Sequence, residues 1–169
     1  MKPPALHFSL RKPLNVLAFP VDIVADVQPE HIQPLVEALS KEFYADDEMM
    51  RDAIEHQSSF NLIHYETAFK ADIFIRKSRA FDQMQLNRRR LSVIASNPEE
   101  SVYVTSPEDT ILAKLEWYRM GGEVSDRQWR DILGVLKTRA GELDLEYLRK
   151  WAAELHVSDL LERALKESS

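Results

Sequence analysis

Two aspartates interrupt apolar, strand-like stretches and could act together in metal chemistry. Asp22 lies in the alternating run Val21–Val27, and Asp72 has a similar place in the run Phe69–Arg76. An unpaired carboxylate is costly to bury, so each should lie at a sheet edge or bind a positive group. Because Mg²⁺ takes oxygen ligands, the two carboxylates together form a candidate Mg²⁺ site. Solvent-facing acids on half-exposed strands are the alternative.

A third acid, Asp26, is a weaker candidate for the same ion. It follows Asp22 by four residues, which is roughly 13 Å along an extended strand. Both carboxylates cannot hold one ion directly over that distance. We therefore interpret Asp26 as a strand-end carboxylate.

The composition excludes several other chemistries. The chain has no cysteine, which rules out disulfides, thiolate metal sites and cysteine nucleophiles. Its five histidines show no ligand spacing with one another. No glycine precedes Gly121, so the glycine-rich phosphate loops of the Walker A and Rossmann types are missing from the strand region.

The charge is distributed unevenly along the chain. The formal net charge is −6, which argues against wholesale coating of nucleic acid. Residues 70–90, in contrast, hold seven basic residues and two acids. This segment could receive the phosphates of a triphosphate or of RNA. A solvated face paired with the protein's own acids explains it equally well.

Residues 21–105 have the pattern of a small mixed sheet with short helices. Two β-rich runs, Phe60–Tyr65 and Phe69–Arg76, predict a hairpin, and further strands are predicted at Leu91–Ala95 and Val102–Thr105. Pro29 opens a predicted amphipathic helix. Residues 1–20 hold four prolines and predict an irregular arm with a short strand at 14–19.

The stretch 106–136 predicts two capped helices around a Gly-Gly turn. Ser106 has the N-cap residue type, Asp109 stands in the place of a capping-box acid, and Ser125 opens the second helix. Gly121-Gly122 supplies a left-handed stop. Each helix carries an apolar stripe that should face a core. The stripes consist of Ile111, Leu112, Leu115 and Tyr118, and of Trp129, Ile132, Leu133 and Leu136. Two more helices are predicted at 144–156 and 158–166.

Three charged residues of these two helices are further candidates. Lys114 borders the first apolar stripe, where it can reach a cleft or extend along the surface. Asp126 lies at the entrance of the second helix. Asp131 follows Arg127 by four residues on the side away from the stripe, which predicts an exposed ion pair.

These residues carry a resemblance to a known family. The segment SPEDTILAKLEWYRMGGEVSDRQWRDILGVL, with the preceding FKADIFI and VDIVADV, resembles minimal nucleotidyltransferase-like proteins related to the AbiEii-type toxins. The likeness covers about Val21 to the C-terminus. It implies an α/β (α+β) fold in which a small mixed, metal-binding sheet precedes a C-terminal helical segment.

The resemblance also implies roles for particular residues. Asp22 matches the second acid of the family's Asp-x-Asp strand and Asp72 its later acid, which makes both catalytic Mg²⁺ ligands. Lys114 matches a lysine that contacts nucleotide phosphates. Asp126 lies near a functional acid of the related toxins, although Gln128 could occupy that place instead. The chain departs from the family at Pro20, where the first strand acid belongs, and in lacking the upstream Gly-Ser pair.

The resulting expectation has three segments: an N-terminal arm at 1–20, a nucleotidyltransferase-like core at 21–105, and a helical part at 106–169 packed on it. The expected function is Mg²⁺-dependent transfer of a nucleotidyl group from an NTP to an RNA or protein acceptor. The two departures weigh against activity, so the alternatives are a catalytically inactive regulatory module of toxin-antitoxin type, which forms a homodimer or binds a partner chain, and an RNA-binding protein. With no apolar run of about 20 residues, we expect a cytoplasmic protein without a membrane partner.

Overall fold

The computed structural model describes residues 21–96 and 99–168, and within them the chain is a mixed α+β protein, as predicted. The strands are Val21–Ala25 (β1), Phe43–Tyr44 (β2), Ser59–His64 (β3), Lys70–Ile75 (β4), Arg90–Ser96 (β5) and Glu99–Val104 (β6). The helices are Ile32–Leu39 (α1), Asp47–Glu55 (α2), Ala80–Arg88 (α3), Pro107–Met120 (α4), Asp126–Thr138 (α5), Leu145–Glu154 (α6) and Ser158–Ser168 (α7). The strand predicted at 14–19 lies outside the described residues.

The chain divides into two compact units between Lys77 and Ser78. The first unit contains β1 to β4 with α1 and α2, and the second contains α3, the β5–β6 pair and α4 to α7. This division falls before the boundary at 105/106 that the sequence suggested. No helix among the described residues is both long enough and apolar enough to cross a membrane.

The first unit is built on a four-stranded mixed sheet with the order β1-β4-β3-β2. β1 runs parallel to β4, whereas β4 with β3 and β3 with β2 are antiparallel. The predicted hairpin is thus confirmed as β3–β4. Side chains alternate across the strands, so one face of the sheet buries apolar residues. The other face, called the polar face, carries Asp22, Asn61, Lys70 and Asp72 together with the apolar Ile63 and Phe74. The buried residues, from the strands, α1 and α2, include Phe60, Leu62, Ala71, Ile73, Ile75, Ile32, Met50 and Ala53.

The second unit is built on the helices α4 to α7. The residues that the sequence predicted for the two apolar stripes are buried, apart from the partly buried Leu133. The core continues into α6 and α7 through Leu148, Trp151, Leu160 and Leu161. Full burial of one such aliphatic side chain contributes about 1.5–3 kcal/mol, so packing rather than helix propensity holds these short helices together.

The strands β5 and β6 do not join the main sheet, which corrects the expectation of one sheet across residues 21–105. They form a separate two-stranded sheet. The helix that precedes them explains the difference, because Phe81 of α3 is buried in the helical core. Arg79, at the start of α3, pairs with Glu116 of α4. The chain from Ser78 onward therefore belongs with the helices of the second unit.

Both predicted N-caps are present, and they differ in what else the hydroxyl does. Ser106 accepts a hydrogen bond from the backbone N–H of Asp109 and donates one to the Asp109 carboxylate. Ser125 accepts a hydrogen bond from the backbone N–H of Gln128. The predicted Gly-Gly stop after α4 is also confirmed, since Gly122 adopts a left-handed φ of 74° that side chains resist.

This difference gives the first prediction. Ser125→Ala should lower the free energy of unfolding by about 1 kcal/mol, the usual cost of an N-cap. Ser106→Ala should cost about 1–3 kcal/mol more, because it also leaves a buried carboxylate oxygen without its donor. Urea unfolding followed by tryptophan fluorescence measures both variants. Trp117, Trp129 and Trp151 are the protein's tryptophans and all lie in the second unit, so the signal reports on that unit alone. Equal losses in the two variants would contradict the additional role of the Ser106 hydroxyl.

Candidate functional site

The two aspartates singled out from the sequence lie side by side in the sheet. β1 and β4 are neighbouring parallel strands, and their register pairs Asp22 with Asp72. On the other side of β4, Asn61 of β3 pairs with Asp72. Because residues that are paired across strands point to the same face, two carboxylates and an amide form a row on the polar face of the sheet. Among the described residues β1 ends the strand order, so within that part of the chain Asp22 lies at an edge of the sheet, one of the two placements that the sequence predicted.

The side-by-side placement of the Asp22 and Asp72 carboxylates has an electrostatic cost. Strands are about 4.8 Å apart, and two like charges at that distance repel by roughly 1–3 kcal/mol at effective dielectric constants between those of water and a protein surface. Lys70 lies two residues before Asp72 on the same face, and its Nζ is 2.9 Å from the Asp72 Oδ1. Asp72 thus already has one cationic partner within β4, and a metal ion bound at the row would compete with Lys70 for it.

The row of Asp22, Asp72 and Asn61 suits a metal ion that keeps waters or substrate phosphates as its other ligands. Within residues 21–96 and 99–168 no group of three or more histidine, aspartate or glutamate side chains could hold a metal ion. A complete protein cage of the kind that Ca²⁺ uses is therefore missing from this part of the chain. Mg²⁺ retains several waters and is commonly bound through one or two carboxylates together with substrate phosphates. Two in-register carboxylates fit that mode.

Asp26 has the structural role that the sequence indicated. Its Oδ2 lies 3.2 Å from Nη2 of Arg76, and its Oδ1 accepts a hydrogen bond from the side chain of Gln28 at 2.8 Å. The residue follows the end of β1 at Ala25. Asp26 thus links the chain beyond β1 to the chain beyond β4.

The candidates on the helices have local partners. The Nζ of Lys114 donates to Asp131 Oδ2 at 3.0 Å, so Asp131 pairs with Lys114 of α4 rather than with the predicted Arg127. This pair joins α4 to α5. Asp126 is the exposed first residue of α5. The phosphate-binding roles of Lys114 and Asp126 stay predictions.

The basic segment 70–90 is largely neutralised by the protein's own acids. Four of its seven cations form ion pairs: Lys70 with Asp72, Arg76 with Asp26, Arg79 with Asp82 and Glu116, and Arg88 with Glu108 and Asp109. Nucleic acid would have to compete with these pairs for most of the segment's charge. The arrangement favours the paired solvated face over the RNA-binding interpretation.

A buried polar cluster in the second unit was missed from the sequence. The carboxylate of Asp109, fully buried in the first turn of α4, accepts hydrogen bonds from the hydroxyls of Tyr147 at 2.6 Å and Ser106 at 2.9 Å. The Arg88 guanidinium lies 3.9 Å from the centre of the Tyr147 ring and pairs with Glu108 at 3.2 Å. One signal could have revealed it, because Glu108 continues the stripe of Ile111, Leu112 and Leu115 by one more turn.

The cluster perturbs the acid-base properties of its members. Burial, and then the hydrogen bond to Asp109, raise the pKa of Tyr147 above its ordinary range. Burial alone would raise the pKa of Glu108, but backbone N–H donors, including that of Asp144, and the charge of Arg88 hold it below its ordinary value of 4.5. Tyr147 is thus kept as a neutral donor and Glu108 as an anion. Hydrogen-bonded and ion-paired contacts of this kind indicate a structural cluster that ties α3, α4 and α6 together, in which the buried Nε of Arg88 is a donor without a hydrogen-bond partner among the described residues.

A shallow cavity of about 260 Å³ adjoins the cluster. Its lining includes Arg90, Ser106, Glu108, Arg139 and Glu142. Arg139 pairs with Glu142 at 3.3 Å and Glu108 pairs with Arg88. Glu108, Arg139 and Glu142 are thus already compensated, so Arg90 is the lining charge that the cavity could offer to a ligand.

Comparisons with known proteins identify no relative of this chain. No protein-family model matches the chain, and no match is found among curated proteins or among solved structures. The function therefore has to be argued from the residues themselves.

The lowered pKa of Glu108 predicts a pH dependence of stability. A carboxyl group whose pKa is lower in the folded state stabilises the fold above its unfolded pKa and loses that contribution as the pH falls through the folded value. The difference in unfolding free energy between the wild type and Glu108→Gln should accordingly shrink as the pH falls below 4.5. Urea unfolding at several pH values, followed by tryptophan fluorescence, measures this difference.

Glu154→Gln is the matched control, because Glu154 is exposed on α6. Water solvates an exposed carboxylate well, so the control should differ little from the wild type at every pH. A Glu108→Gln difference that stayed constant from pH 7 to pH 3 would refute the proposed hydrogen-bonded anion.

Proposed function

We propose that this protein is nucleotidyltransferase-like, binding Mg²⁺ together with an NTP at Asp22 and Asp72 and transferring a nucleotidyl group to an RNA or protein acceptor. The observation that carries the proposal is the register that sets the two carboxylates side by side on neighbouring parallel strands. The resemblance of the sequence to nucleotidyltransferase-like proteins supports the choice of reaction.

The proposed site uses residues of the first unit only. Asp22 and Asp72 would hold one Mg²⁺, whose role in such chemistry is to neutralise phosphate charge and orient the triphosphate. Lys70 forms an ion pair with Asp72. Its ammonium group is on a flexible side chain, so it can bind a phosphate once a metal ion has taken its place beside Asp72. Asn61, across from Asp72, adds an amide that can donate to or accept from a ligand.

A second candidate function follows from the small number of carboxylates at the proposed site. A two-metal mechanism stabilises both the attacking and the leaving oxygen and needs carboxylates around two ions. Pro20 stands where the resembled family has its further acid, and the chain has no glycine before Gly121. A protein that binds Mg²⁺ and nucleotide without turnover, as a regulatory module, is the alternative that these residues favour.

Calorimetric titration tests the binding step. Mg²⁺ titrated in the presence of ATP should give a heat of binding with the wild-type protein. Asp22→Asn or Asp72→Asn should weaken that binding by roughly tenfold or more, since each removes one of two charged ligands. Asp26→Asn is the matched control, because it removes an aspartate of the same strand region that is paired with Arg76. Its heat of binding should match that of the wild type. Binding that is absent from the wild type, or equal in all four proteins, would overturn the proposed site.

A transfer assay separates the two candidate functions. Each labelled NTP is incubated with Mg²⁺, the protein and either total tRNA or a protein mixture, and the label on the acceptor is measured. Transfer that Asp22→Asn and Asp72→Asn abolish and Asp26→Asn retains would support the enzyme. Metal-dependent nucleotide binding with no transfer to any acceptor would decide for the regulatory module.

A further inference from the structure

Three large side chains are exposed together on the polar face of the first unit's sheet. Tyr44 of β2 pairs with Ile63 of β3, and their side chains are 46% and 39% exposed. Tyr65 follows Ile63 by two residues, so the alternation of the strand puts it on the same face, and it is 59% exposed. Exposed apolar groups that lie together mark binding surfaces. We call Tyr44, Ile63 and Tyr65 the aromatic patch.

The aromatic patch adjoins the candidate Mg²⁺ ligands. Ile63 also pairs with Lys70 of β4, so that Tyr44, Ile63 and Lys70 form one row across three strands. The next row on the same face consists of Asn61, Asp72 and Asp22. Two strand spacings and one two-residue step separate Tyr44 from Asp72 by about 12 Å. A nucleoside triphosphate can span this distance with its base at one end and its phosphates at the other.

Lys70 lies between the aromatic patch and the two aspartates. It shares a row with Ile63, and its Nζ is 2.9 Å from the carboxylate of Asp72 in the neighbouring row. A phosphate chain that runs from the patch to a Mg²⁺ ion on Asp72 would pass this ammonium, which attracts it. The polar face thus changes from apolar through basic to acidic in the order that a Mg²⁺-bound nucleotide requires.

Asp46 determines which end of a nucleotide can lie at the patch. The phenol of Tyr44 donates a hydrogen bond to Asp46 Oδ2 at 3.2 Å, and the backbone N–H of Met49 donates one to Oδ1 at 2.9 Å. The Met49 bond lowers the pKa of Asp46, and the bond to Asp46 raises the pKa of Tyr44. A carboxylate anion therefore lies beside a neutral phenol. Because this anion repels phosphate, the uncharged base is the part of a nucleotide that fits here.

We propose that the aromatic patch binds the base of the nucleoside triphosphate, which stacks on the Tyr44 ring. This base site rests on the proposed function, in which Asp22 and Asp72 hold the Mg²⁺ that binds the phosphates. The hydrogen bond to Asp46 restrains the Tyr44 ring, so little side-chain freedom is lost when a base stacks on it. Stacking accepts the face of any base, and a purine covers more of the patch than a pyrimidine does. The preferred substrate is therefore a purine nucleoside triphosphate.

Calorimetric titration with two ligands tests the base site apart from the metal site. ATP and ribose 5-triphosphate, which has the sugar and the phosphates but no base, are each titrated in the presence of Mg²⁺. The wild type should bind ATP more tightly than ribose 5-triphosphate. Tyr44→Ala should weaken ATP binding by roughly tenfold or more, the usual loss of one stacking ring, and should leave ribose 5-triphosphate binding unchanged. Tyr44→Phe keeps the ring and should bind ATP much as the wild type does.

Tyr103→Ala is the matched control, because it removes a tyrosine that is 64% exposed in the second unit. It should bind both ligands like the wild type, and circular dichroism confirms that each variant is folded. Titration with UTP tests the preference for a purine. The wild type should bind ATP more tightly than UTP, and Tyr44→Ala should reduce that difference, since the ring on which the larger base stacks is gone.

The results distinguish a failure of the base site from a failure of the proposed function. A wild type that binds ribose 5-triphosphate with Mg²⁺, but binds ATP no more tightly, would overturn the base site and leave the Mg²⁺ site standing. Tighter binding of ATP that Tyr44→Ala and Tyr65→Ala both leave unchanged would place the base elsewhere and overturn it too. A wild type that binds neither ligand with Mg²⁺ would overturn the proposed function, and the base site with it.

Discussion

The fully buried carboxylate of Asp109 is the constraint on which the helical unit depends. Taking an ion out of water costs several kcal/mol, and the cost is offset only when hydrogen bonds and an opposite charge replace the lost water. Tyr147, Ser106 and Arg88 provide these partners from α6, from the cap of α4 and from the end of α3. Three elements distant in sequence must therefore meet at the start of α4, with their apolar faces turned to one core.

The sheet of the first unit obeys a different constraint. The two-residue period of a strand assigns every second side chain to the buried face, so Ile73 and its neighbours fix the orientation of β4. Once that face is set, Asp72 must lie on the other one, and the same rule applied to β1 turns Asp22 the same way. The apolar core of the first unit thus places the candidate metal ligands on the opposite face of the sheet.

Local patterns were enough to predict most elements but not how distant ones meet. The stripes and caps of α4 and α5, the β3–β4 hairpin and the left-handed stop at Gly122 follow from residue types within a few positions, and all are present. The register that pairs Asp22 with Asp72 involves strands fifty residues apart, and only the shared polar face could be anticipated. The separation of β5 and β6 from the main sheet was not anticipated, because it depends on Phe81 packing into the helical core.

Ion pairing within the protein accounts for most of the charged residues that the sequence singled out. Asp26, Asp131 and most cations of the segment 70–90 have partners of opposite charge, and a sequence pattern cannot say which cation reaches which acid across tens of residues. Asp72 also pairs with Lys70, but the register of β1 and β4 sets a second carboxylate, that of Asp22, beside it. Like charges side by side repel each other, so the fold gains no stability from this placement by itself. Two in-register carboxylates can share a divalent cation, and that shared geometry, rather than the charge of either residue alone, is what points to binding.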